Sequence, residues 1–441
     1  MTRYCLCLAL GLFLFTPPLA AQAPAPLSGD RPSLAVRSQV PRTNRFLFTL
    51  RGGTIIDDNA LQSRDNRVSD ITYLIEAGIA FEQRRPRLQW SLNYSPGFAV
   101  NQRLADRDLL THAFGFYLQG QTTRRSSLRL RTNFYLTTNP FSRLDQAGVP
   151  EFGNLDRPNE SVITPIARRI GGMGALDYTY QLGPRSVFGL TGTYADVRFR
   201  DLPAADRAGQ RLIDSRVAAG RVFAGRQFTR RQSVGFSYGV QNMTFRLGQA
   251  RAVVHTVLYS HSFSFTPNNT WSIFAGPEYT RAHDQIVLNI ASFPFVARLD
   301  LPVFNAFWSL TAGSSYGWQG ESTSLRLSLL RRMSDGGGLL GAVRLHQADA
   351  ALLRRLGRLW SANLAFAYGD SRAVNASDAA ALRILTAGTG LTCTLRENLS
   401  LNFSYGWVQQ DFRGILVGDG RRHSNRGQVS LAYQFERPLG R

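Results

Sequence analysis

Ser400-Leu401-Asn402-Phe403-Ser404-Tyr405-Gly406-Trp407 is the stretch whose pattern decides the fold of this chain. Leucine, phenylalanine, tyrosine and tryptophan fall at every second position, and asparagine, serine and glycine lie between them. A period of two puts the two sets on opposite faces of a β-strand, one oily and aromatic, the other small and polar. Ser233 opens a second copy, in which Val234, Phe236, Tyr238 and Val240 alternate with Gly235, Ser237 and Gly239. Further upstream, Ile71, Tyr73, Ile75, Ala77, Ile79 and Phe81 alternate with Thr72, Leu74, Glu76, Gly78, Ala80 and Glu82.

These copies belong to a repeat: a short polar turn, a serine, then an alternating apolar run. Its serines are Ser91, Ser127, Ser186, Ser233, Ser272, Ser324, Ser361 and Ser400, and three follow a tryptophan: Trp90, Trp271 and Trp360. Spacings cluster near 36 to 40 residues and lengthen where a loop is inserted. That length suits a hairpin of roughly ten-residue strands plus an outer loop. A soluble sandwich would bury the oily face of two sheets against each other. Long strands with tight turns on one side only fit a closed barrel better, its oily face toward lipid and its polar face toward a wet interior.

Composition agrees. The chain has 441 residues, 44% hydrophobic and 18% charged, with 40 glycines and a formal charge of +21 carried by arginine, for there is no lysine. The apolar fraction argues against disorder. Only residues 4 to 16 form a long apolar run, short of the roughly 20 a spanning helix needs. Arg3, that run, Pro17, Pro18, Ala20 and Ala21 read as an export signal over residues 1–22. Residues 23–42, rich in alanine and proline, read as a flexible periplasmic lead-in. Export removes nucleic acid from the partners a basic chain would otherwise suggest. After the signal only Cys393 remains, so no internal disulfide is expected.

Counting the turns and adding strands near 45–56 and 427–435 gives about 18 strands, with 16 the alternative because residues 173–200 and 284–318 are poorly patterned. An even count returns both ends to the short-turn side, as single-chain bacterial barrels do. The expected architecture is all-β: a transmembrane antiparallel up-and-down β-barrel over residues 43–436, with short periplasmic turns, longer extracellular loops and a short tail at 437–441. Trp90, Trp271 and Trp360 then form a girdle at the periplasmic interface. In these respects the chain resembles bacterial outer-membrane β-barrel proteins, both general porins and porin-like barrels associated with exopolysaccharide export. The carriers are the signal, the turn-Trp-Ser-apolar repeat and the last strand, Val429, Leu431, Tyr433 and Phe435; the residues after Phe435 depart from the usual aromatic ending. The resemblance implies the bacterial outer membrane as location, and outer-membrane lipid and the barrel-assembly machinery as partners.

About 18 strands leave an interior too wide for side chains to fill. Alternation with apolar neighbours assigns Arg129, Arg131, Arg198, Arg246, Arg326 and Arg344 to the inner wall, with Glu76, Asp177 and Glu278 as inward acids. An arginine facing lipid costs about 2 to 4 kcal/mol at the midplane, so the alternation itself speaks for a wet interior. A net positive wall favours anions. The long insertion 138–172 carries Arg143, Asp145, Glu151, Asp156 and Arg157, and is a candidate for a loop that folds inward and narrows the pore. A second insertion, Asp284 to Pro302, is apolar and could pack in the mouth or on a partner.

Catalytic chemistry is not expected. His112, His255, His261, His283, His346 and His423 lie at no nucleophile or metal spacing. His255 and His261 share an oily face, compatible with a homo-oligomer contact, and His346 is placed inward beside Arg344. Gly336 to Gly338 lacks the sequel of a phosphate loop and reads as an extracellular turn. No metal and no cofactor is called for. The expected function is passive diffusion of small, preferentially anionic solutes. The alternatives are export of an anionic exopolysaccharide and a closed structural or adhesion barrel whose loops bind a partner.

Overall fold

The computed structural model describes residues 43–61, 63–64, 67–104, 109–137, 168–200, 212–246, 250–292, 295–374, 380–414 and 420–438, with backbone alone over 284–292 and 295–302. The signal and lead-in at 1–42 lie outside the described residues. Among the described residues eighteen strands follow one another: β1 (Thr43–Asp57), β2 (Asp70–Arg85), β3 (Leu88–Asn101), β4 (Leu109–Gln121), β5 (Ser126–Thr137), β6 (Arg168–Gly183), β7 (Ser186–Arg200), β8 (Ser215–Thr229), β9 (Gln232–Phe245), β10 (Arg251–Thr266), β11 (Asn269–Ser292), β12 (Phe295–Gln319), β13 (Thr323–Gly336), β14 (Leu340–Arg355), β15 (Trp360–Ala373), β16 (Ala381–Arg396), β17 (Leu399–Arg413) and β18 (Gly420–Pro438). Each pairs antiparallel with its sequence neighbours, and β1 pairs with β18, closing the sheet into an up-and-down barrel. The two stretches that lacked a clear pattern are β6–β7 and β11–β12, which settles the count at the larger expected value.

Closure joins Phe48 to Phe435 and Leu50 to Tyr433 across the seam. The last strand continues past Phe435 to Pro438, so two residues of the expected tail are strand. Arg45 binds Glu82 at 2.7 Å and Glu436 at 3.1 Å, tying β1 to both neighbours at this end. Three of the short turns share one device: a threonine hydroxyl accepts a backbone N–H just beyond it. Thr123 accepts from Ser126 (3.0 Å), Thr229 from Arg231 (3.2 Å) and Thr266 from Asn268 (3.3 Å), fixing tight reversals without glycine.

The alternating apolar set faces out. Ile75, Phe98, Phe134, Leu176, Tyr194, Phe236, Leu329, Leu364, Tyr405 and Leu431 are all exposed on the exterior, a continuous band that soluble monomers do not present. No helix among the described residues is long and apolar enough to cross a membrane; the strands supply the crossing. Trp90, Trp271 and Trp360 sit on this outer face just above the short turns. The Trp90 indole N–H donates to Gln83 (2.9 Å) and that of Trp271 to Ser314 (2.8 Å), which satisfies the polar edge of rings whose bodies face lipid. In the poorly patterned β7, Phe188 and Leu190 belong to the outward set with Tyr194, because register pairs them with outward Tyr180 and Tyr178.

Toward the long-loop end the pattern inverts, and the barrel acquires a protein core. The β12–β13 ladder runs from Gln319↔Ser324 to Ala312↔Arg331 and stops. Beyond it β12 stays with β11 up to Phe295, whereas β13 stays with β14 up to Gly336. The two edges diverge because the β13–β14 hairpin turns into the barrel. On one of its faces Met333 and Ala342 pack with Val217, Met243, Phe245, Ala252, Val254 and Ala282 of the β8–β11 inner wall. On the other, Leu339, Leu340 and Val343 pack with Phe199 of β7, Leu382 and Ile384 of β16 and Phe412 of β17. β7 and β17 stand on opposite walls, so the second cluster spans the lumen. The apolar insertion expected at 284–302 is the upward extension of the β11–β12 ladder.

Candidate functional site

The interior offers two zones. Below the hairpin, on the short-turn side, the wall is lined by small polar residues, and charged groups stand along one register row. Arg129 of β5 lies opposite Asp177 of β6; Asp177 opposite Thr191 of β7; Thr191 opposite Arg221 of β8; and Arg221 beside Gly239 of β9. The row continues through Thr256 of β10 to Glu278 of β11. A Cβ at Gly239 would come within 3.4 Å of the Arg221 Nε, so this glycine leaves the guanidinium its place along the wall.

Every inward acid in this zone is already engaged. Asp177 accepts from Arg131 at 2.9 Å and from the Thr191 hydroxyl at 3.0 Å. Glu76 pairs with Arg51 of β1 at 3.4 Å. Asp349 accepts from Ser328 (3.1 Å) and from the Gln347 amide. Arg326, by contrast, lies between Gly317 and Ala351 in the register, two neighbours too small to cover it. Higher on the same wall Arg169 lies over the Tyr135 ring, 4.4 Å from its centroid, and donates to the Tyr135 hydroxyl.

The sequence reading assigned Arg129, Arg131, Arg326, Glu76, Asp177 and Glu278 to the interior, and in the structure each has the inward phase of its strand. It misplaced Arg198, Arg246 and His346, and it misread the setting of Arg344. Arg198 and Arg246 are outside: Arg198 holds Asp196 at 2.7 Å, and Arg246, 63% exposed in its side chain, approaches Asp214 at 3.6 Å. Their flanking residues Val197, Phe199 and Phe245 are buried inside against the hairpin. The rule that apolar means lipid-facing reverses at this height, because the exterior is above the apolar band and the interior is filled by protein. Arg344 stands inside the barrel, stacked over the Phe307 ring at 5.5 Å where the hairpin meets the wall, rather than on an open surface. His346 pairs in register with Arg331 and Asp370 on the outer face, not with a lumenal charge set. His112 and His255 are outward too, each bonded to a tyrosine hydroxyl, Tyr94 (2.8 Å) and Tyr238 (2.9 Å).

The hairpin is the element the sequence reading missed. It is pinned at three points: the Met333 N–H donates to Glu278 Oε2 (3.4 Å), the Ser215 hydroxyl to the Asp335 carboxylate Oδ2 (3.0 Å) and the Ile213 N–H to the Gly338 carbonyl (2.8 Å). Glu278, 3% exposed, also accepts from the Ser309 hydroxyl at 2.6 Å and from Thr311. The tip turns through Gly337 (φ 65°) and Gly338 (φ 94°), values that glycine adopts without strain. The tip is thus the turn expected at Gly336–Gly338, but it lies within the barrel. The constriction candidates Arg143, Asp145, Glu151, Asp156 and Arg157 lie outside the described residues, while residues 168–172 of that insertion are the first part of β6. Traces of the hairpin are present in the sequence: Val197, Phe199, Val217, Met243, Phe245 and Val254 interrupt the small polar inward set near one end of their strands.

Among the described residues no group of histidine, cysteine, aspartate and glutamate is placed to hold a metal. No family model matches the sequence, and no curated protein matches it. Several solved structures are similar in form. OccAB4 of Acinetobacter baumannii is 11% identical, with 91% of this chain and 100% of that one covered and a TM-score of 0.43. OccK2 (OpdF) of Pseudomonas aeruginosa, solved in complex with glucuronate, is 12% identical over 90% of this chain and 98% of its own, with a TM-score of 0.41. The ferric-catecholate import receptor Fiu of E. coli K12 is 6% identical over 90% and 82%, with a TM-score of 0.46. On its own geometry, an 18-stranded sheet closed on itself with an apolar exterior and an arginine-bearing interior, the chain is a transmembrane β-barrel with the architecture of bacterial outer-membrane barrel proteins.

Proposed function

We propose that the protein is an outer-membrane channel through which small solutes diffuse passively, with a preference for anions. The carrying observation is the set of cations on the wall of the open zone: Arg129, Arg131, Arg221 and Arg326 stand on its inward face, Arg131 holding Asp177 there and Arg326 flanked in register by Gly317 and Ala351. Arginine side chains on a pore wall lower the entry energy of an anion by a few kT, enough to bias flux without trapping the solute. Selection by size falls to the β13–β14 hairpin, which crosses the other half of the lumen.

The test is a planar bilayer containing the purified full chain, with a potassium chloride gradient across it. The expected results are discrete conductance steps and a reversal potential on the chloride side of zero. A potassium-side reversal potential would refute the arginine argument. A second reading has its own support: two apolar clusters seal the hairpin to both walls, as a closed structural barrel would require. A total absence of conductance, in the native chain and in variants that loosen the hairpin, would favour that reading. A polysaccharide conduit fits less well, since the hairpin interrupts the lumen that a polymer would have to thread.

A further inference from the structure

The departure of the hairpin from the wall leaves a cleft on the outside of the barrel. Where the β12–β13 ladder ends, at Ala312↔Arg331, a cavity of about 490 Å³ opens between the diverging strands, within the volume range of small-molecule sites. Outward residues of three consecutive hairpin partners line it: Ala312 and Ser314 of β12, Leu329 and Arg331 of β13, His346 of β14, with Tyr368 of β15 behind. Above the cleft β12 has no register partner on this side among the described residues, and it presents Trp308 and Phe304, 72% and 77% exposed.

The height of the cleft identifies its surroundings. Arg331 is eight residues along β13 from Thr323, which for a strand tilted about 40° is roughly 20 Å above the short-turn end of the barrel. That is near the upper edge of an apolar band about 25 Å tall. A polar register row starts at this level and climbs around the barrel as the tilted strands succeed one another. Arg331 pairs in register with His346, His346 with Asp370, Asp370 with Arg383, Arg383 with Asp411 and Asp411 with Arg421. Within that row Asp370 is taken by Arg372 at 3.0 Å and Arg383 at 3.9 Å, and Asp411 by Arg413 at 3.2 Å. Among the described residues Arg331 has no such partner, and its Nε is buried without a hydrogen bond. A cation with no carboxylate partner among the described residues thus sits at the rim of a cavity whose floor, Ala312, Leu329 and the Tyr368 ring, faces the acyl region.

From this geometry we infer that the cleft is a binding site for a single membrane lipid with an anionic phosphate headgroup, the phosphate on Arg331 and His346 and one acyl chain in the space between β12 and β13. A second copy of the chain docking edge to edge fits worse, because a two-fold contact would bring Arg331 of each copy toward the same cation of the other. The inference rests on the membrane-embedded reading of the barrel, which insertion into phosphatidylcholine vesicles checks separately.

The experiment titrates the delipidated full chain in detergent with phosphatidylglycerol or phosphatidylcholine of identical chains and counts retained lipid by native mass spectrometry. The native chain is expected to retain one phosphatidylglycerol at a concentration at least tenfold lower than it needs for phosphatidylcholine. Arg331→Gln should erase the preference, and Ala312→Trp, which fills the cavity, should abolish retention of both lipids. Arg421→Gln, in the same polar row but away from the cleft, should change neither. Resistance of each variant to unfolding in cold detergent gels verifies its barrel. Equal retention of the two lipids, or a preference that survives Arg331→Gln, overturns the proposal. Displacement of the lipid by inorganic phosphate alone would assign a bare anion site, and a lipid-free dimer would assign the edge to a second copy; either result also overturns it.

Discussion

Gly338→Val tests whether the hairpin governs the pore. At Gly338, φ is 94°, and a Cβ there would lie 2.5 Å from the Phe199 ring on the facing wall. Holding a β-branched residue in that region costs about 1 to 2 kcal/mol, and overpacking the tip adds about 1 to 3 kcal/mol. The seated hairpin should therefore lose roughly 2 to 5 kcal/mol relative to any state in which the tip leaves Phe199. At about 1.4 kcal/mol per tenfold, the ratio of unseated to seated hairpin rises by roughly 30-fold to several thousandfold. Single-channel recording reads this as time spent in a higher-conductance state. The background Phe199→Ala should blunt the effect of Gly338→Val, because the steric part is then removed while the backbone part remains. If Gly338→Val inserts as a folded barrel and its conductance histogram matches the native one, the hairpin is not what limits passage.

Other outcomes follow from the same geometry. Reversing two lumenal charges, Arg129→Glu with Arg131→Glu, should move the reversal potential toward potassium, whereas Arg198→Glu with Arg246→Glu, on the exterior, should leave it in place; equal shifts from both pairs would contradict the assigned faces. Glu278→Leu removes the acceptor shared by Ser309, Thr311 and the Met333 N–H. Leaving such buried donors unpaired costs about 1 to 3 kcal/mol each, and higher-conductance events should become more frequent in bilayer records. Leu176→Arg puts a charge on the lipid face of β6, at a cost of about 2 to 4 kcal/mol if at the midplane, and should lower the urea midpoint of the barrel reconstituted in vesicles, whereas Ser127→Arg on the lumenal face should lower it by much less.

Sequence by itself determined the barrel. Period-two alternation recurs after the short turns at Arg87, Arg185, Arg231 and Asn268, and an oily face that nothing in the chain can cover has to meet lipid. That is a local property of each strand, so Leu401, Phe403 and Tyr405 could be assigned outward without knowing their neighbours, and Arg129 and Arg131 inward by the same phase. Tertiary structure decided what lies inside. Val197, Phe199 and Phe245 look lipid-facing one strand at a time, yet they point inward, because Met333, Leu339, Leu340 and Val343 arrive from more than eighty residues away to cover them. Alternation reports that two faces differ; it does not report which one is wet, and that depends on whether the strand is level with the bilayer or above it. The turn of β13 away from β12 is likewise invisible in either strand's sequence, since it depends on an acceptor, Glu278, and a wall of methyl groups that only closure of the barrel brings opposite the hairpin.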